Sequence, residues 1–148
     1  MVHASHDHQI FIADSGCDQT LVTNIWRVLA NTGRYVCMTG AFAGRSAGEL
    51  FPVVSAISKV VLPDGRALAL VGHEVLLDSN PHQVESLLSI HQSLRLRVNR
   101  IDDRSVYERD VRGLPGTQKA VFDKYELPFY FDGSKCFFEL SPISEEEM

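Results

Sequence analysis

The residues best suited to acid–base chemistry in this chain are two carboxylates close to its start. Asp14 opens the triplet Asp14-Ser15-Gly16 directly after an apolar run at residues 9–13, and Asp18 follows four residues later. A β-branched and aromatic run of this length predicts a buried strand, which ends at a sharp turn. Such a strand would hold the carboxylate rigid and partly dry, so Asp14 is the candidate catalytic residue for general acid–base chemistry.

A glycine-rich segment follows the acidic turn at a distance that would let it fold back over Asp14. Residues 39–48 contain Gly40, Gly44 and Gly48 among small side chains. Glycine supports tight and left-handed turns, so the segment predicts a flexible loop or the tip of a hairpin.

Other reactive side chains give weaker patterns. A Cys-His hydrolase would need one of the three cysteines and one of the six histidines, but no nucleophile signature surrounds any cysteine. The odd number and wide spacing favour free thiols in a reducing, cytoplasmic compartment over disulfides. The cysteines are Cys17, Cys37 and Cys136.

The His-rich start of the chain could bind a transition metal, but a loose arm lacks a supporting shell of ligands. The polar residues there are His3, His6, Asp7 and His8. No metal and no cofactor is therefore predicted.

Composition limits the class of partner. The 148 residues fit one domain, and 14 basic against 19 acidic side chains give a net charge of −5. This charge predicts no nucleic-acid binding, and the apolar runs are too short to cross a bilayer.

The elements that would position Asp14 are mostly strands. Two long apolar runs, 50–62 and 66–77, flank the turn Pro63-Asp64-Gly65 and predict a hairpin, and a second hairpin is predicted over 127–140. A further strand is predicted at 34–38, a helix over 82–95, a surface loop over 102–118 and a disordered acidic tail at 141–148. Residues 20–31 fit either a helix or a strand and turn, and residues 96–101 fit a strand. The fold class is mostly β with one helix, in a closed or strongly curled structure.

These segments, in this order, resemble the retropepsin-like aspartic protease domains of copia-type retrotransposon polyproteins. The strand with Asp-Ser-Gly and Leu21-Val22 resembles the active-site turn, and residues 38–44 stand where the flap hairpin lies. Residues 62–72 resemble the copia-type segment after the flap. Residues 87–92 (Leu-Leu-Ser-Ile-His-Gln) resemble the stretch that opens the C-terminal helix.

The resemblance implies an aspartic endopeptidase that hydrolyses a polypeptide substrate. Asp14 would pair with its copy across a homodimer, Ser15 would hydrogen-bond between the two turns, and Gly16 would let the backbone approach the substrate. The implied substrate-binding residues are Asp18 in the turn and Gly40, Ala41, Phe42 and Gly44 in the flap. The implied organisation is a flexible arm at 1–8, a retropepsin-like core at 9–101, and a C-terminal extension at 102–148.

Two departures from the family leave an alternative open. Cys17 replaces the usual small residue after the glycine, and Leu87-Leu88-Ser89-Ile90 lacks the Arg that follows the second turn in viral members. The alternative is a catalytically inactive module of the same fold, kept for dimerisation or peptide binding.

Overall fold

The computed structural model of the chain describes residues 9–14, 19–38, 49–93 and 99–148. This part of the chain is mostly β. The strands are β1 (Gln9–Asp14), β2 (Leu21–Val22), β3 (Arg27–Met38), β4 (Glu49–Val61), β5 (Ala67–Leu77), β6 (Glu85–Ser89), β7 (Asn99–Asp102), β8 (Lys119–Phe122), β9 (Tyr125–Pro128), β10 (Tyr130–Phe131) and β11 (Cys136–Ser141). One short α-helix, α1, spans Ile90–Ser93, and a 3-10 turn spans Glu145–Glu147.

Six strands close into a barrel. They follow the order β11-β1-β6-β2-β5-β4, and β4 pairs back onto β11 to complete the ring. Strands β10 and β3 extend this sheet at its two ends, and β7, β8 and β9 form a separate three-stranded sheet. The expectation of a mostly β, closed structure is therefore confirmed.

Strand β1 is buried on both of its faces. Phe11 and Ala13 point into the larger of two apolar clusters, whereas Ile12 packs in the smaller one. Neighbours on both sides hold the strand, because β1 pairs in parallel with β6 and antiparallel with β11. A strand covered on both faces needs an unbroken apolar sequence, which explains the run at residues 9–13.

The two predicted hairpins are both present. Strands β4 and β5 pair around the turn at 63–65, where Gly65 adopts a φ of +89° and donates to the Leu62 carbonyl at 3.0 Å. Strands β10 and β11 pair around a turn in which the Asp132 carboxylate accepts hydrogen bonds from two backbone N–H groups. Local turn chemistry sets both connections.

The helix predicted over 82–95 is wrong for most of its length. Residues 85–89 form β6 inside the barrel, α1 spans Ile90–Ser93, and residues 94 and 95 lie outside the described part of the chain. Leu88 packs in the larger apolar cluster and Leu87 in the smaller one, so adjacent leucines face opposite sides of the strand. Apolar spacing alone does not distinguish a buried strand from a helix.

The ambiguous segment 20–31 is resolved as strand, turn and strand, with β2 at its start and β3 from Arg27 onward. The predicted strand at 34–38 is confirmed as part of β3, and β7 covers part of the segment 96–101. The hairpin of β8 and β9 was not predicted from the sequence.

The acidic tail is ordered, contrary to the sequence prediction. Ile143 is buried, and its carbonyl accepts hydrogen bonds from the Arg27 guanidinium at 3.1 and 3.3 Å. Ser144 and Glu147 form a reciprocal capping box, and Lys59 lies 2.9 Å from the Glu147 carboxylate. Basic side chains on β3 and β4 thus offset the charge repulsion within the tail.

The C-terminal segment 102–148 also contributes a strand to the barrel. Strand β11 lies between β1 and β4, with Phe138 and Leu140 almost completely buried. The predicted surface loop over 102–118 is largely non-strand in the structure. The predicted N-terminal arm, residues 1–8, lies outside the described residues.

Candidate functional site

Asp14 is the last residue of β1 and lies beside Ser89 of β6. The two strands run in parallel, and their register places Ala13 next to Leu88 and Asp14 next to Ser89. Asp14 is half-buried. Alternation along the strand puts its side chain on the face of Ile12, which packs in the smaller apolar cluster. The candidate catalytic carboxylate therefore stands at the end of a rigid, apolar strand.

The other predicted site residues lie outside the described residues. These are Ser15, Gly16 and Asp18 of the acidic turn, and Gly40, Ala41, Phe42 and Gly44 of the predicted flap. Of the eight predicted site residues, the structure thus describes the position of Asp14.

The chain that leaves the acidic turn is held at Thr20. Its carbonyl accepts a hydrogen bond from the Leu76 N–H at 2.9 Å, and its hydroxyl accepts one from the Ser89 N–H at 3.0 Å. Its own N–H donates to the side-chain oxygen of Gln92 at 2.6 Å. Thr20 is 5% exposed. The segment 15–18 therefore lies between Asp14 at the end of β1 and the hydrogen-bonded Thr20, two residues further along the chain.

Ser89 links β6 to the helical turn that follows it. Its hydroxyl accepts a hydrogen bond from the Gln92 N–H at 3.0 Å, which caps the N-terminus of α1. The Ser93 hydroxyl donates to the Ser89 carbonyl at 2.8 Å, and Ser89 is fully buried. The same residue thus borders Asp14, caps α1 and donates its N–H to Thr20.

Sequence reasoning did not assign roles to Thr20, Ser89 or Gln92. The sequence does contain a signal for the cap, because Ser89 and Gln92 have the Ser-x-x-Gln spacing that is typical of a helix N-terminus. Thr20 had no comparable signal, since its partners lie far away along the chain.

A second group of contacts braces the opposite end of β1. The Thr23 hydroxyl donates to the side-chain oxygen of Gln9, and both residues are buried. The Trp26 indole N–H donates to the Ser86 hydroxyl at 3.1 Å, and its ring meets Phe11 edge-on at a centroid distance of 5.2 Å. Trp26 is therefore part of the larger apolar cluster.

Strands β3 and β4 form the two arms of a long hairpin that leads toward the predicted flap. They pair antiparallel as far as Met38 and Glu49, and the residues between these two positions lie outside the described part of the chain. Near this end of the arms, Tyr35 and Leu50 are 61% and 62% exposed. The pairing supplies the stem that a flap would need.

A pocket of about 300 Å³ opens near the helical turn. Its walls are mainly apolar, with a smaller polar share. Residues that line it include Phe11, Trp26, His73, Leu88, Gln92 and Phe122. Asp14 is not among the described residues that line this pocket, whereas Thr20 and Gln92 are.

The environment of Cys136 does not favour nucleophilic chemistry. Burial, with a smaller contribution from the Asp103 carboxylate, raises the pKa of the Cys136 thiol to about 11. A thiol with so high a pKa carries little thiolate at neutral pH. Cys37 is exposed on β3, and Cys17 lies outside the described residues.

Among residues 9–14, 19–38, 49–93 and 99–148, no three His, Cys, Asp or Glu side chains are grouped so as to hold a metal ion. The His-rich start of the chain lies outside these ranges. The helices in the same ranges lack the length and apolar character required to cross a bilayer.

Comparison with protein-family models, with curated proteins and with solved structures finds no match to this chain.

Proposed function

We propose that the chain is one half of a retropepsin-like aspartic endopeptidase, which cleaves a polyprotein of a copia-type retrotransposon in the cytoplasm. The observation that carries the proposal is the register of Asp14 beside Ser89, at the end of a parallel strand pair inside a barrel. Carboxylates used in hydrolysis need a rigid support, which two adjacent buried strands provide.

The chemistry requires a second copy of the chain. One chain supplies one Asp14, and a two-fold axis beside its turn would bring two such carboxylates together. Like charges at short distance do not both ionise readily, so the pair would share one proton. The ionised carboxylate would take a proton from a bound water, and the protonated one would donate to the carbonyl oxygen of the scissile peptide.

Two further features support this function. The residues after Asp14 lead to the buried Thr20, whose N–H, carbonyl and hydroxyl oxygen each take part in a hydrogen bond, which suits a catalytic turn. The hairpin of β3 and β4 leads to the glycine-rich segment 39–48, which would close over a bound peptide and exclude water.

A peptide-binding module without catalysis is the second candidate. The pocket of about 300 Å³ favours it, because apolar walls with a few polar groups are typical of a binding site and Asp14 is not part of them. In that case the chain would bind polypeptides equally well with or without the Asp14 carboxylate.

Cleavage of a peptide library at mildly acid pH distinguishes the two functions. The wild-type chain, Asp14→Asn and the matched control Asp103→Asn are compared, since Asp103 is an exposed aspartate outside the site. We expect cleavage by the wild type and by the control, and none by Asp14→Asn. Equal cleavage by all three proteins would exclude Asp14 as the catalytic residue, and binding without cleavage would favour the module.

The assembly state is a separate requirement. Sedimentation equilibrium is expected to show a dimer over the concentration range in which cleavage is observed. Cleavage by a chain that sediments as a monomer would contradict the shared pair of carboxylates.

A further inference from the structure

The side chain of Gln92 joins two segments that are otherwise far apart. Its oxygen accepts the Thr20 N–H at 2.6 Å, and its nitrogen donates to the Glu74 carbonyl at 3.1 Å. These partners are 72 and 18 residues away along the chain. One amide group thus uses both its acceptor and its donor to connect β5 with the chain that leaves the acidic turn.

The Glu74 carbonyl is available because β5 bulges at this point. Val54 and Ala56 of β4 pair with Val75 and Gly72, so two residues of β5, His73 and Glu74, oppose one residue of β4. Glu74 adopts a φ of +55°, in the left-handed region that side chains rarely occupy. A bulge leaves backbone groups outside the ladder, and it commonly redirects them toward a nearby site.

The bulge also connects to an arm of the β3–β4 hairpin. The Arg34 guanidinium of β3 forms an ion pair with the Glu74 carboxylate. A continuous series of contacts therefore runs from Arg34 through Glu74 and Gln92 to Thr20. Thr20 in turn accepts the N–H of Ser89, the neighbour of Asp14.

We infer that Gln92 is a positioning residue, which holds Thr20 beside Ser89 and ties it to the bulge beside the hairpin arm. This role rests on the proposed function of Asp14. A glutamine suits it because one end of the side chain must accept a hydrogen bond and the other must donate one. A methionine of similar length supplies neither group, and a glutamate keeps only the acceptor.

Three variants test the role. Gln92→Met removes both hydrogen bonds, and Gln92→Glu keeps the acceptor for Thr20. Gln83→Met is the matched control, because Gln83 is another half-buried glutamine, whose amide donates to the Glu85 carbonyl at 3.1 Å. Each variant is examined by amide hydrogen exchange and by peptide cleavage, at concentrations where sedimentation shows the same assembly state.

Hydrogen exchange tests the contact without reference to catalysis. In Gln92→Met the Thr20 amide should exchange roughly tenfold faster, as expected for a lost hydrogen bond, while amides of β4 keep their protection. In Gln92→Glu and Gln83→Met the Thr20 amide should stay protected. Unchanged exchange at Thr20 in Gln92→Met would overturn the inference.

Cleavage kinetics test the consequence for the site. Gln92→Met should lower kcat by about ten- to a hundredfold and change KM little, because a displaced catalytic group affects the chemical step most. Gln92→Glu should retain more of the wild-type kcat than Gln92→Met. Loss of Thr20 protection with an unchanged kcat would overturn the positioning role. Absence of cleavage by the wild type would instead overturn the proposed function, and the exchange result would still decide whether Gln92 holds Thr20.

Discussion

Asp14 and Ser89 lie side by side at the ends of two parallel strands, and Ser89 also caps the helical turn that follows. The candidate catalytic residue therefore shares its support with the N-terminus of α1. A change at Ser89 should affect both the strand pair and the turn.

Ser89→Ala should destabilise the fold by about 1–2 kcal/mol, because it removes the buried hydroxyl that caps the part-buried Gln92 N–H. Urea unfolding followed by Trp26 fluorescence measures the loss. Ser79→Ala, a change at an exposed serine, should alter the stability by less than about 0.5 kcal/mol. Equal stability of the two variants would show that the cap contributes nothing.

The C-terminal strand β11 should be essential to the barrel. Phe138 is 0% exposed and stacks on Phe129 at a centroid distance of 4.5 Å. Phe138→Ala should cost about 3–5 kcal/mol, as for other large residues removed from a core. Phe131→Ala, in the same hairpin but exposed, should cost far less. A small loss at Phe138, measured by chemical denaturation, would mean that β11 contributes little to the closed barrel.

Asp102 should give the fold a dependence on acid pH. Burial alone would raise the pKa of Asp102, but hydrogen bonds from Arg104 and Thr117 lower it to about 2. The ordinary aspartate pKa is about 4, so the ionised group stabilises the fold above that pH, and the contribution disappears as pH falls toward 2.

The contribution of Asp102 should be about 1–2 kcal/mol, since part of the carboxylate remains in contact with water. Asp102→Asn should therefore be less stable than the wild type at about pH 6, and this difference should shrink toward about pH 2. Urea unfolding across this pH range measures it, with Asp103→Asn as the control. A difference that stays constant with pH would contradict the lowered pKa.

Substitutions at Glu74 test whether the stability of the bulge in β5 depends on the left-handed backbone conformation of this residue. Glu74→Val should destabilise the fold by about 1–2 kcal/mol, because a β-branched residue is strained at positive φ. Glu74→Asn should be tolerated, since asparagine adopts this conformation more readily.

Arg34→Ala separates the backbone effect at Glu74 from the ion pair. It removes the same exposed contact without changing Glu74, and it should cost less than about 1 kcal/mol. Thermal or urea unfolding compares the three variants. Equal losses in Glu74→Val and Arg34→Ala would assign the effect to the ion pair rather than to the backbone.

The sequence by itself determined the features that depend on neighbouring residues. The turn at Pro63-Asp64-Gly65 and the turn at Asp132-Gly133 each contain their own hydrogen-bonding groups and a glycine at positive φ. The strand that ends at Asp14 was equally readable, because four consecutive apolar residues, 10–13, precede a turn triplet. Such signals are local, so no distant partner is needed to interpret them.

Only the tertiary structure decided how distant segments meet. Residues 85–89 became a strand because β1 and β2 pair with them on either side, although their apolar spacing also fits a helix. The acidic tail became ordered because Arg27 and Lys59 lie beside it, and Gln92 found Thr20 across 72 residues of chain. The stability of these contacts depends on which distant segments the closed barrel brings together. A short stretch of neighbouring residues does not contain that information.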